Sequence, residues 1–142
     1  MRWPRQSKAA LTPRAARGDR AERLACGYLS AHGFEIIERN VRFPVGEIDI
    51  VAREGDALCF VEVRSTTSQA WGGALASITS PKQRRLIRAA QWYLQSCRVQ
   101  YTPTPKDLVW GYIDIRFDVV AIAWLDGSAP TVELIRGAFT AD

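Results

Sequence analysis

The chain has only one histidine, His32, among 142 residues. With that lone imidazole, zinc clusters and Ser-His-Asp machinery have little support, and His32 reads as a residue at a helix end. Cysteine is also scarce: Cys26, Cys59 and Cys97 are odd in number and lack any CxxC spacing. They read as reduced, mostly buried thiols of a cytoplasmic protein. No apolar run approaches membrane-spanning length, so no membrane association is expected. The N-terminus carries charge without an apolar h-region, which argues against a secretory signal. Internal repeats and low-complexity blocks are absent.

Acidic residues are missing from the first 17 positions, which hold Arg2, Arg5, Lys8, Arg14 and Arg17. The formal charge of +4 comes from 19 basic and 15 acidic residues, and setting those five aside leaves 14 against 15. Residues 1–17 therefore read as a basic, flexible tail, and residues 18–142 as a single near-neutral domain with an ordinary 47% of hydrophobic residues. The tail can be an arm that tracks phosphates or a leader with no role. Arginine outnumbers lysine 16 to 3, a bias that genomic base composition alone can produce.

What the chain does have is Gly46-Glu47-Ile48-Asp49-Ile50-Val51, followed by Val61-Glu62-Val63-Arg64. Each run alternates acidic with aliphatic residues, the period of a half-buried strand. Gly55-Asp56 between them suits a two-residue type II′ hairpin. That register pairs Glu54 with Ala57 and Asp49 with Glu62. It puts Ile48, Ile50, Val61 and Val63 on one face, and Glu47, Asp49, Glu62 and Arg64 on the other. A four-residue loop over Arg53–Asp56 would instead pair Glu47 with Glu62. Either register brings carboxylates to roughly 5–8 Å at Cβ, where like charges repel. A divalent cation such as Mg²⁺ would relieve that repulsion, because it takes oxygen ligands and is often held by one or two carboxylates. A solvated charged face on an edge hairpin is the plain alternative.

Elsewhere the patterning predicts a first helix over Gly18–His32, with Ala21, Leu24, Ala25, Tyr28 and Leu29 on one apolar stripe and Gly33 as its stop. Glu22 lies just off that stripe and is either functional or a first-turn acid favoured by the helix dipole. Strands follow at Phe34–Asn40, Glu47–Ala52 and Ala57–Arg64. Trp71-Gly72-Gly73 lies in a small-residue loop, where Trp71 can stack on an unpaired base or cover the core. A second helix opens with Thr79 or Ser80 as N-cap, Pro81 at N1 and Gln83 closing a capping box with Ser80. Leu86, Ala90, Tyr93, Leu94 and Cys97 form its buried stripe. Lys82, Arg84, Arg85 and Arg88 crowd its first turns, where the dipole disfavours cations, so they are either an anion-binding face or a solvated one. A Pro-punctuated loop over Tyr101–Asp107, a strand from Tyr112 to Trp124 and a short strand near Val132–Ile135 complete the chain. Arg116 and Asp118 on the long strand either support the site or pair with each other. The order α-β-β-β-α-β-β predicts an α/β sandwich with a mixed central sheet flanked by helices.

The acidic pair followed two residues later by a cation resembles the layout of the PD-(D/E)XK nuclease superfamily. Gly18-Asp19-Arg20-Ala21-Glu22-Arg23-Leu24, His32-Gly33-Phe34, Trp71-Gly72-Gly73, Pro81-Lys82-Gln83 and Arg116-Phe117-Asp118-Val119-Val120 occur in an order that resembles the YraN family. These are uncharacterised bacterial proteins predicted to be nuclease-like and similar to archaeal Holliday-junction resolvases. The resemblance spans roughly residues 18–139. It implies a nuclease-like domain with a restriction-endonuclease-like core and a Mg²⁺- or Mn²⁺-dependent endonuclease acting on DNA, with branched DNA suggested by analogy. It makes Asp49, Glu62 and the Val63 carbonyl the metal ligands, and Glu22 the holder of a second ion or a metal-held water. Arg64 stands where the superfamily usually has lysine. Arginine keeps its charge and cannot act as a base, though it can stabilise a pentavalent phosphate; Lys82 is the residue able to supply the lysine's charge. Lys82, Arg84, Arg85, Arg88 and Trp71 are the expected nucleic-acid contacts, and a homodimer would suit a two-fold substrate. A nucleic-acid-binding module without catalysis is the alternative that Arg64 motivates.

Overall fold

The computed structural model describes residues 13–67, 78–96, 114–124, 127 and 129–141. Trp71, Cys97 and the Tyr101–Asp107 loop lie outside these residues, as does the tail before Pro13. The elements are α1 (Pro13–Ala31), β1 (Glu35–Phe43), β2 (Gly46–Glu54), β3 (Ala57–Thr66), α2 (Ser80–Gln95), β4 (Asp114–Ala123) and β5 (Thr131–Phe139). This is the order expected. The sheet runs β1-β2-β3-β4-β5, antiparallel throughout except for the parallel β3–β4 pair. It is a mixed α/β fold compatible with a restriction-endonuclease-like core. No described helix is long and apolar enough to cross a membrane.

Each face of the sheet carries one helix. On one side Ala21, Ala25 and Leu29 of α1 pack on Ile50, Ala52, Cys59, Val61, Val120 and Ile122. On the other, Ala89, Ala90 and Tyr93 of α2 pack on Ile48, Val51, Leu58, Phe60 and Phe117. Most of these side chains have no exposed surface, so each contributes about 1.5–3 kcal/mol of apolar burial if it is Val-sized or larger. Small residues on both helices let the backbones approach the strands. The approach is closest at Gly46, where an added Cβ would lie 3.0 Å from the Arg85 carbonyl oxygen of α2.

Helix α1 starts at Pro13, five residues ahead of the expected Gly18. Proline is favoured in the first helical turn because its φ is preset and its missing N–H costs nothing there. The stop is as expected. Gly33 has φ +90°, Phe34 N–H donates to Leu29 O at 3.0 Å and Gly33 N–H to Ser30 O at 3.3 Å, which together make a Schellman motif. Phe34 and Leu29 then meet in the same apolar cluster. Helix α2 is capped by Thr79, whose hydroxyl accepts from Lys82 N–H at 3.4 Å. The capping box with Ser80 does not form: the Gln83 amide donates instead to the Ile78 carbonyl at 3.2 Å.

The β2–β3 register settles the choice of hairpin. Glu54 pairs with Ala57 and Ile50 with Val61, so the loop is the two-residue one. Gly55 has φ +57°, and among the described non-glycine residues only Asn40 has a positive φ, which leaves Asp56 negative as a type II′ turn requires. Strand β5 runs to Phe139, beyond the expected Ile135, because the register shift opposite Phe117/Val119 and Gly137 at φ +59° break its alternation.

Arg116 and Asp118 pair with each other. Asp118 is fully buried and takes Arg116 Nε at 2.8 Å, Arg116 Nη2 at 2.9 Å and the Gly137 amide at 2.9 Å. Arg116 and Arg136 converge on Glu54, the residue before the hairpin turn, at 2.7–2.9 Å. The Arg136 hydrogen bonds come first among the causes that hold the Glu54 carboxyl down to about 2. The network ties the hairpin to β4 and β5; in the β3–β4 register Asp118 stands beside Val61, one residue from Glu62. Asp118→Ala should lower stability by about 3 kcal/mol, the low end for breaking a buried ion pair, because Arg116 keeps Glu54; urea unfolding measures it. Gly46→Ala should cost about 1–3 kcal/mol by the same assay, as overpacking against the α2 backbone.

Candidate metal centre

The β2–β3 ladder stops at Ile50 and Val61. One step further the Val63 amide donates to Asp49 Oδ2 at 2.9 Å, so a side chain replaces the next rung. In an antiparallel pair the N–H and C=O of such a residue face the same neighbour, so the Val63 carbonyl also faces Asp49. Extending the register places Glu62 opposite Asp49, and the two carboxyls hydrogen-bond. The Asp49 and Glu62 carboxyls and the Val63 amide thus come together.

The expected faces hold only in part. Ile50, Val61 and Val63 join the α1 side, but Ile48 packs on the α2 side with Val51. Alternation breaks at Asp49, and Asn40, opposite it in the β1 register, has φ +52°. The local twist puts Asp49 at the seam between the layers. Its charge is felt by Glu22 of α1, and it feels Lys82 of α2.

Burial, then the Asp49 charge, push the Glu62 carboxyl up to about 8. Asp49 is also raised by burial, against the Val63 amide, the Glu62 hydrogen bond and the charges of Arg64 and Lys82. The pair therefore keeps a proton near neutrality, with Asp49 the better placed to ionise because it accepts the amide. Arg64 Nη1 lies 3.7 Å from Glu62 Oε1. Glu22 is only 8% exposed and pushed up to about 7, first by burial and then by Asp49. With α1 starting at Pro13, Glu22 lies mid-helix, where a first-turn dipole role does not apply. It is more deeply covered than the stripe predicted.

Arg39 was not anticipated. Its Nε donates to Glu22 Oε1 at 3.3 Å, and it reaches α1 because a bulge between Ile36 and Glu38 resets the face of β1. No sequence signal marks that bulge. Among the described residues no three His, Cys, Asp or Glu side chains form a metal cage. Asp49 and Glu62 with a backbone carbonyl nevertheless fit Mg²⁺, which takes few carboxylates and keeps waters. Two carboxyls crowded enough to hold a proton are a donor set that a hard cation satisfies better. Lys82 is half-buried beside them, whereas Arg84, Arg85 and Arg88 are exposed along α2.

The raised Glu62 carboxyl sets a sign for stability. Its contribution is present below the ordinary value of 4.5 and lost as pH rises through about 8. Glu62→Gln should therefore stabilise the metal-free protein by about 1–3 kcal/mol at pH 9 and by much less at pH 5. Thermal melts in EDTA across that range test it, and equal effects at both ends would overturn the assignment.

A profile of the uncharacterised protein family UPF0102 matches residues 21–122, which includes every residue of this centre. A UPF0102 protein of Anaeromyxobacter sp. (strain Fw109-5) is 43% identical over 127 residues, covering 89% of this chain and 86% of its own length. One from Alkalilimnicola ehrlichii is 42% identical over 137 residues, covering 96% and 97%. One from Pseudomonas aeruginosa (strain LESB58) is 40% identical over 126 residues, covering 88% and 93%. With a matched core and relatives aligned nearly end to end, the chain belongs to the UPF0102 (YraN) family.

Proposed function

We propose that this protein is a Mg²⁺- or Mn²⁺-dependent endonuclease that hydrolyses DNA phosphodiester bonds, with branched or otherwise structured DNA as its substrate. The observation that carries the reading is the pairing of half-buried Asp49 with buried Glu62, flanked by Arg64 and Lys82.

Asp49, Glu62 and the Val63 carbonyl would hold the cation. When bound, it would polarise the phosphodiester and lower the pKa of an attacking water. The residues around it have separate tasks. Arg64 and Lys82 place positive charge where a pentavalent phosphate accumulates negative charge. Lys82 supplies from α2 the ammonium that the wider superfamily carries on the strand. Glu22, pushed up to about 7, can take or release a proton near neutral pH, and Arg39 fixes its carboxyl. Arg84, Arg85 and Arg88 supply phosphate contacts beyond the centre.

A nucleic-acid-binding module without catalysis is the second reading, favoured by Arg64 at the usual lysine position. Labelled single-stranded, duplex, flapped and four-way-junction DNA, incubated with Mg²⁺, Mn²⁺ or EDTA, separates the two. The expected result is metal-dependent cleavage, reduced about 10²-fold or more by Asp49→Asn or Glu62→Gln. Binding without cleavage on every substrate would establish the second reading instead.

A further inference from the structure

We infer that the outer face of α2 is a landing strip for an unpaired nucleic-acid strand, with Trp92 as the platform on which one of its bases stacks. The inference rests on the nucleic-acid reading above and deepens it by naming the form of the strand.

Trp92 is 44% exposed, one of two large hydrophobic residues so exposed among those described. At 100° per residue, Arg84, Arg85, Arg88, Gln91, Trp92 and Gln95 share one side of α2, away from buried Leu86, Ala89, Ala90 and Tyr93. The sequence of α2 contains no acidic residue, so nothing on the helix neutralises that stripe. A basic partner would be repelled by it, and a polyphosphate backbone complements it.

The aromatic ring adds what phosphate binding does not need. Trp92 leans on Phe43 of β1, ring centroids 5.9 Å apart at 41°, which steadies one side of the indole while much of it stays open. Arg88 precedes it by one helical turn, about 6 Å along the axis. This is the alternation of cation and aromatic that single-strand grooves use: charge for the backbone and a π face for the base. In a duplex the base faces are already stacked, so only an unpaired base can use the ring.

The centre lies at the start of the same helix, on the side that faces the sheet, roughly 80° around the axis from Trp92. Lys82 at the start of α2 is felt by both Asp49 and Glu62. Ten residues of helix separate it from Trp92, about 15 Å, or roughly four nucleotides at the stacked rise of 3.4 Å per strand. A strand that enters the centre beside Lys82 can therefore follow α2 and reach Trp92 within a few nucleotides. A frayed or branched end provides such a strand.

The test is anisotropy of labelled dT₁₂, a blunt duplex of the same length and heparin as a polyanion decoy, all in EDTA so that cleavage does not enter. Trp92→Ala and Trp92→Leu should weaken dT₁₂ binding by roughly 5- to 100-fold, leave duplex and heparin binding within about twofold, and spare the circular dichroism spectrum. Trp92→Phe should keep most of the dT₁₂ affinity. Arg88→Ala should weaken all three probes and reduce the steepness of the salt dependence by about one. The inference falls if Trp92→Leu binds dT₁₂ as the wild type does, if it loses all probes equally, or if the wild type does not bind dT₁₂. Cleavage of duplex or junction DNA in Mg²⁺ would then still stand or fall separately.

Discussion

One hydrogen bond organises the centre of this fold: the Val63 amide to Asp49 Oδ2. A regular ladder would carry that amide to a β2 carbonyl and leave Asp49 to solvent. Here the side chain takes the rung, which turns its carboxylate into the plane of the sheet and toward Glu62. A half-buried and a buried carboxyl then compete for one proton, and the charges of Arg64 and Lys82 are both felt at the pair. Such a pair is costly to bury. One residue along β3, at the Val61–Asp118 pairing, begins a fully satisfied ionic network that runs to Glu54 and Arg136.

The two charged clusters show what distinguishes a structural ion pair from a site. Asp118 has three donors, both oxygens in use, and faces Arg116 side by side. Glu54, which shares Arg116 with it, is held down to about 2 by the guanidiniums of Arg136 and Arg116. Every charge there has an opposite in contact, so the network secures the hairpin to β4 and β5. Around Asp49 three carboxyls, Glu22, Asp49 and Glu62, are raised, and the nearby cations only partly offset their burial. Arg39, Arg64 and Lys82 stand against these three acids, and burial still leaves the carboxyls short of full ionisation; under the proposed function a bound cation would hold them ionised.

Much of this was legible in the chain because short-range rules govern it. The alternation of Glu47–Val51 and Val61–Arg64, the Gly55-Asp56 turn and Gly33 after an apolar helical stripe each fix local geometry directly. Gly46 in the Gly-Glu-Ile-Asp run has a reason that the strand pattern could not supply, the close approach of the α2 backbone. The role of Arg39, the side taken by Ile48 and the length of β5 were not legible. Each depends on a bulge or a left-handed residue, at Ile36/Glu38, Asn40 and Gly137, that moves side chains between faces without a compositional mark. The ring of Trp92 was legible only by exclusion, since the stripe of Leu86, Ala90 and Tyr93 leaves it off the buried face, and its exposure on Phe43 shows only in the fold.

Glu22 gives the strongest argument that the centre is more than a charged edge. As a first-turn acid it would have had a simple electrostatic reason to be where it is. With α1 running from Pro13, the residue sits in the helix middle beside Ala21 and Ala25, in a position that an apolar side chain could fill. Burying a carboxyl there raises it to about 7, and Arg39 offsets only part of that. Replacing such a pair by apolar residues is often neutral or stabilising. The acid therefore gives the helix no stability that a leucine would not, while it adds to the negative field at Asp49, and a chain folding only for stability would have little use for it. Under the proposed function, chemistry at the carboxylates would supply that reason.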